Sequence, residues 1–251
     1  MKKILLIIFA IALFSCKNEG ETKEKQNTNQ TSVIPLKRPD IKSSMVANLA
    51  DKLSPEESNT LFTKRRKKEL SIDYRHLDVY TYEDIEGTHY LVNSKHILSE
   101  EKDTLYDKMK LFDLRYKDKQ FKKRFTVKDN IDSAWETSIW LWTTYSEIDD
   151  FDGDGLTDLI LVYGTTGQDM YVDGKVRIVI YSKKKTTIRH QNSDLDDGRI
   201  TKIKASFYVL PSEIQDVVKE KMRLMMENGH ARFAANWEKE MANKSYNILE
   251  K

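Results

Sequence analysis

The stretch Asp150-Phe151-Asp152-Gly153-Asp154-Gly155-Leu156-Thr157-Asp158-Leu159-Ile160-Leu161-Val162-Tyr163 carries two signals back to back. Its first nine residues place acids at positions 1, 3, 5 and 9 and a glycine at position 6. Its last five are apolar without a break, which reads as a buried strand and not as an amphipathic helix. An acidic loop that feeds directly into a strand points the body of the chain toward β-structure.

The flanking sequence agrees. Val79-Tyr80-Thr81-Tyr82 and Thr88-His89-Tyr90-Leu91-Val92 flank Ile85-Glu86-Gly87, a hairpin signature. Lys110–Tyr116 and Phe121–Val127 around residues 117–120 form a second candidate hairpin. Trp135–Ile148, aromatic and β-branched, reads as one long strand, and Lys175–Ser182 and Lys202–Val209 as further strands. Residues 41–70 read as helix, with Ser54-Pro55-Glu56-Glu57 supplying a cap, a first-turn proline and two acids at the positive end of the dipole. A second helix opens at Pro211-Ser212-Glu213, sets Ile214, Val217, Val218, Met222 and Met225 on one face, and closes at Asn228-Gly229. A short third helix is expected over Ala231–Ala242. The fold class expected is α+β: a mainly antiparallel sheet built from hairpins, with helices at the N- and C-terminal ends, in one domain over residues 41–251.

The acidic loop carries the chemistry. Calcium takes six to eight hard oxygen ligands from carboxylates, backbone carbonyls and water. Acids alternating along a tight loop point at a common centre, and Gly155 permits the sharp turn. The expected ligands for Ca2+ are the carboxylates of Asp150, Asp152, Asp154 and Asp158 and the carbonyl of Leu156. Magnesium prefers a rigid octahedron, and no His or Cys lies nearby for a transition metal. The plain alternative is an acidic surface turn. A second stretch, Asn192-Ser193-Asp194-Leu195-Asp196-Asp197-Gly198, has its glycine at position 7, so the spacing breaks and a polar turn is the ordinary reading.

Position 12 of the first loop is Leu161 where an EF-hand has a bidentate Glu, and a strand follows where an EF-hand has a helix. An Asp-x-Asp-x-Asp-Gly-x-x-Asp loop running into a strand resembles the calcium loops of FG-GAP and VCBS repeats. Those repeats build many-bladed propellers. One copy occurs here, so the resemblance covers about fifteen residues and does not imply a propeller. More widely, the order from Thr88 to about Met222 is similar to a group of small Bacteroidota proteins with a single such loop, some of them associated with surface polysaccharide biosynthesis.

The chain starts Met1-Lys2-Lys3, followed by an apolar run from Ile4 to Phe14 and then Ser15-Cys16. The run has the length of a signal-peptide core and falls short of the roughly 20 residues of a membrane span. Leu13-Phe14-Ser15-Cys16 resembles the lipobox of bacterial lipoproteins, which implies cleavage before Cys16 and acylation of its thiol and new amino group. Cys16 is the only cysteine, so no disulfide supports the body. Lys17, in place of an Asp that retains some lipoproteins in the inner membrane, implies the outer membrane, facing either the periplasm or the outside. Glu19 and Glu21 loosely resemble a surface-export tag. Residues 16–40 are polar with almost nothing apolar before Val33, and read as a flexible tether reaching roughly 25–30 Å.

Removal of residues 1–15 takes Lys2 and Lys3 away and leaves 40 acids in balance with the remaining bases, so net charge makes no case for nucleic acid. No Gly-x-Ser-x-Gly, phosphate loop, dinucleotide turn or His-Glu-x-x-His occurs, and the five histidines are scattered. Trp140 and Trp142 share one strand face and are the candidate ligand surface, since exposed tryptophans stack on sugar rings; the competing reading buries both faces. Two functions stand at this level. One is a membrane-anchored, calcium-binding envelope module that contacts a glycan or an envelope protein, or plays a structural part. The other is a calcium-stabilised enzyme acting on surface polysaccharide, whose two carboxylates would have to sit apart from the calcium loop.

Overall fold

The structure, a computed structural model, describes residues 51–250. The signal segment 1–15, Cys16, the tether and the first ten residues of the expected N-terminal helix lie outside the described residues. The first sheet is assembled from β1 (Asp51–Lys52), β2 (His76–Asp84), β3 (Gly87–Ser99), β4 (Leu105–Lys117) and β5 (Gln120–Asn130), side by side in that order and antiparallel throughout. Both expected hairpins are present. Asp84 pairs with Gly87 across a two-residue turn in which Asp84 Oδ1 accepts the Glu86 N–H at 2.7 Å. Lys117 pairs with Gln120 around Asp118 and Lys119, both at positive φ (53° and 59°), as a primed turn requires. Asp113 pairs with Phe125 and Leu114 with Lys123, so Arg124 is the extra residue of a β-bulge.

The second sheet runs in the order β12-β11-β10-β9-β8-β6. Its strands are β6 (Ser138–Leu141), β7 (Glu147–Asp149), β8 (Asp158–Thr166), β9 (Lys175–Ser182), β10 (Lys184–Gln191), β11 (Ile200–Ile203) and β12 (Asn247–Leu249), with β7 also pairing β8. The expected long strand over 135–148 is therefore broken. Leu141 faces Tyr163 and Glu147 faces Ile160, so residues 142–146 stand opposite only 161 and 162. The surplus is taken up in a 3-10 turn, Thr143–Tyr145, pinned where Ser146 Oγ donates to Trp142 O at 3.0 Å and accepts the Val162 N–H at 3.0 Å. The strand expected over 202–209 stops at Ile203 and gives way to a 3-10 turn, Ala205–Val209.

Helices α1 (Pro55–Leu61) and α2 (Lys64–Leu70) precede the first hairpin, and Ser54 and Glu57 form a reciprocal capping box at the start of α1. Helix α3 (Ser212–Glu227) has the expected span and buries Ile214, Val218, Met222 and Met225. Helix α4 (Trp237–Ala242) is shorter than expected, because Ala231–Ala234 packs on the core in non-helical form. The helices do not end the described chain: β1 lies before α1 and β12 after α4.

Three apolar clusters define the layers. Tyr80, Leu91, Met109, Leu111 and Phe125 of the first sheet meet Ile139, Leu159, Leu161 and Tyr163 of the second. On the outer face of the second sheet, Ile160, Val162, Ile178 and Ile180 pack on Val218, Met222 and Met225 of α3. On the outer face of the first, Val79, Val92 and Phe112 pack with Phe62 and Ile72 around α1 and α2. The result is helix, sheet, sheet, helix, with every residue of β8 buried. Within β8 the packing leaves no room at Gly164, where an added Cβ would lie 2.4 Å from the Trp142 ring and 2.5 Å from Lys175 O. Gly164→Ala is expected to cost about 1–3 kcal/mol by overpacking. Urea denaturation checks this, and an unchanged midpoint would show that the contact yields freely.

Candidate metal site

The acidic loop joins β7 to β8, and its ends are held by the pair Asp149–Asp158. Gly153 and Gly155 turn it with φ of 73° and 82°, values that side-chain-bearing residues resist. Asp150, Asp152 and Asp158 each present a carboxylate oxygen, and these oxygens lie within 4.8 Å of one another. Backbone amides hold the acids in place. Asp150 accepts from Asp154 N at 3.0 Å and Gly155 N at 2.8 Å, Asp152 from Asp154 N at 3.2 Å, and Asp158 from Phe151 N at 3.2 Å. Asp158 is 4% exposed, and burial, with the Asp152 and Asp154 charges added, pushes its pKa up to about 6. A buried carboxylate among like charges is stabilised by a cation, and an all-oxygen donor set suits a hard one.

Asp154 faces elsewhere. Its Oδ1 accepts the Leu156 N–H at 2.9 Å, and its Oδ2 is ion-paired with the Lys183 ammonium. That ammonium lowers the Asp154 pKa, and Leu156 lines the rim of a neighbouring cleft. The structure thus brings together three of the four carboxylates named from sequence and turns the fourth toward a lysine. The loop also rests on the first sheet. Thr157 N donates to Asp84 Oδ2 at 3.2 Å, and Ile85 N donates to Gly155 O at 3.3 Å.

Behind that contact lies an ionic cluster that the sequence reading missed. Arg124 Nε sits 3.0 Å from Asp113 Oδ2, in geometry that makes an ion pair but no hydrogen bond, while Tyr82 donates to Asp113 Oδ1 at 2.6 Å. Arg124 Nη1 lies 3.0 Å from His89 Nδ1, which must accept, so His89 Nε2 donates to Asp84 at 2.9 Å. Burial pushes the Asp113 pKa up against the opposing pull of Arg124 and Tyr82. Burial works against charge on Asp84 too, but bonds from His89 and from the Thr157 and Glu86 amides hold its pKa down. The Asp113 and His89 side chains are fully enclosed, so they position Arg124 and do not meet solutes. A signal was present in the sequence: Asp113 falls on the same strand face as Met109 and Leu111, where a charge requires a buried partner.

Of the other candidate residues, Trp140, Trp142 and Asn192 pack into the body, while Asp194, Asp196 and Asp197 of the second loop are exposed. Trp142 is 2% exposed and packs against Tyr145, Tyr171 and His230, while Trp140 is half-buried beside it. Asn192 is buried and bonds Tyr171 O and His230 O, and Asp196 pairs with Arg199. Among the described residues the first loop is the only grouping of three acidic, His or Cys side chains close enough for a metal. No helix among them is long and apolar enough to cross a membrane. No protein family, no curated protein and no solved structure matches this chain.

Two measurements test the buried polar groups. Asp113→Asn leaves Arg124 without its main counter-charge and is expected to cost about 3 kcal/mol in urea unfolding; a loss near zero would mean that Asp84 alone suffices. His190 accepts from Thr201 at Nδ1 and donates to Asn192 at Nε2, and burial lowers its pKa to about 4 from 6.5. Its contribution is complete above pH 6.5 and is lost as pH falls toward 4, because the unfolded chain takes the proton first. The total is about 3 kcal/mol. His190→Gln should flatten that part of the stability–pH curve, and parallel curves for the two proteins would refute the assignment.

Proposed function

We propose that this chain is a lipid-anchored protein of the bacterial outer membrane whose Asp150–Asp158 loop binds Ca2+, and that it works as a binding or structural module toward a glycan or an envelope protein. The observation that carries the metal is the convergence of Asp150, Asp152 and Asp158 on a loop closed by strand pairing. Asp154, once released by Lys183, and the Leu156 carbonyl would add to the ligand set, with water completing it. The anchor rests on the basic start, the apolar run Ile4–Phe14 and Ser15-Cys16. An ion here ties the first residue of β8 to a loop that leans on the β2–β3 turn, and so stiffens one end of the sandwich.

The test uses the chain from residue 16 with Cys16→Ser, stripped with chelator and followed by thermal unfolding. Calcium at about a hundred times its dissociation constant adds about 2.7 kcal/mol, worth roughly 5–10 °C for a domain of this size. Magnesium should give much less, and an Asp152→Ala/Asp154→Ala variant nothing. An equal rise in that variant, or none in the parent chain, would remove the calcium assignment.

A further inference from the structure

A cleft of about 380 Å³ opens beside the loop, where the turn ends of the two sheets face each other. Strand register sets Tyr82, His89, Arg115 and Lys122 in one row across β2 to β5, and the bulge adds Arg124 one step deeper. Tyr181 of β9, Lys183 of the β9–β10 turn and Thr157 of the acidic loop come from the opposite side. The lining holds Arg115, Lys122, Lys123, Arg124 and Lys183 against one acid, Glu86.

The cations differ in how they are committed. Arg124 is held from behind by Asp113 and His89 and lies 4.4 Å from the centre of the Tyr181 ring. Lys123 turns its ammonium away to Leu70 O. Arg115 pairs with Glu86 at 2.7 Å, but its Nε is buried without a hydrogen-bond partner. Lys122 is exposed and has no ion pair or hydrogen bond through its side chain among the described residues. Among the described residues Lys183 pairs only with Asp154 of the acidic loop. Positive charge gathered around one concavity, with a buried N–H left open, is stabilised by an anion.

We propose that this cleft binds a phosphate or sulfate monoester of about monosaccharide size, its oxyanion held by Arg115, Lys122 and Lys183 on a base formed by Arg124. The volume lies within the usual range of small-molecule sites, about 300–1,000 Å³. The rest of the chain is nearly charge-balanced, so the attraction is local to the cleft and suits a small anion, not a nucleic-acid polymer. Lys183 links the two sites, and this link rests on the calcium reading above. A cation that draws Asp154 into the loop frees Lys183 for the anion, and an anion that takes Lys183 frees Asp154. Each ligand then strengthens the other by the same factor.

The test is calorimetric titration of the chain from residue 16 (Cys16→Ser) with glucose 6-phosphate, glucose 6-sulfate, inorganic sulfate and glucose, in calcium and in chelator. The esters are expected to bind and glucose to stay silent. Inorganic sulfate binding as tightly as the esters would support the oxyanion pocket but overturn recognition of the sugar. Lys122→Gln and Arg115→Gln should each weaken the esters roughly tenfold, with the thermal midpoint of Lys122→Gln unchanged. Calcium should tighten ester binding several-fold, an effect lost in Lys183→Gln. Absence of ester binding in both buffers, or unaltered affinity in the Lys122 and Arg115 variants, overturns the proposal. The calcium-induced midpoint shift without ester is read separately. A shift without ester binding overturns the cleft alone; ester binding without a shift supports the cleft and overturns the loop and the link.

Discussion

Strand β8, Asp158–Thr166, is buried along its whole length, and a strand with large side chains on both faces needs a covering layer on each. Leu159, Leu161 and Tyr163 point into the space between the sheets, and Ile160 and Val162 point at α3. At roughly 1.5–3 kcal/mol for each large apolar side chain removed from water, these residues alone give the chain strong reason to put the first sheet on one side and α3 on the other. The outer helices α1 and α2 solve the same problem for the first sheet. The four-layer order follows from the need to keep central strands dry on both sides.

The ends of β8 are where that dryness meets charge. At its start, Asp158 belongs to the acidic loop, and Thr157 ties the loop to Asp84. At its far end, Thr165 donates to Glu136 at 2.5 Å, and Glu136 pairs with Lys175 at 3.1 Å. Buried ions cost desolvation that pairing only partly offsets, so such groups specify position more than they add stability. The cluster of Asp113, Tyr82, His89 and Asp84 does this for Arg124: each polar atom that faces it narrows the orientations the guanidinium can take. The acidic loop and the basic cleft lie side by side because Lys183 and Asp154 come from neighbouring turns of one sheet.

Several features were legible in the residues themselves. The hairpin at Ile85-Glu86-Gly87 and the one around Asp118-Lys119 rest on local turn chemistry, which acts over a few residues. Helix α3 declares itself through its apolar spacing and its Asn228-Gly229 close. The break after Leu141 was not legible, because Trp135–Ile148 has strand propensity throughout. What interrupts it is the Ser146 hydroxyl bonding to Val162, sixteen residues away. Strand β10 was missed for a similar reason: Lys184, Lys185 and Thr186 look like a polar loop, and only pairing with β9 along its full length makes them a strand. Trp140 and Trp142 show the limit of face arithmetic, since a shared face does not say whether a helix and a loop will cover it.

By itself the sequence determined those properties whose causes are local. They are the turns, the capped helices, the spacing of acids on one loop, the apolar run Ile4–Phe14 ahead of Ser15-Cys16, and the expectation of a mainly antiparallel α+β body. Tertiary structure decided which charged and polar groups meet. Asp113 and Tyr82 are 31 residues apart, and Arg124 and Thr157 are 33 apart. Asp154 faces Lys183 in place of its three fellow carboxylates only because the loop and the β9–β10 turn are folded against each other. Electrostatic interaction depends on distance and burial in space, and neither is set by separation along the chain.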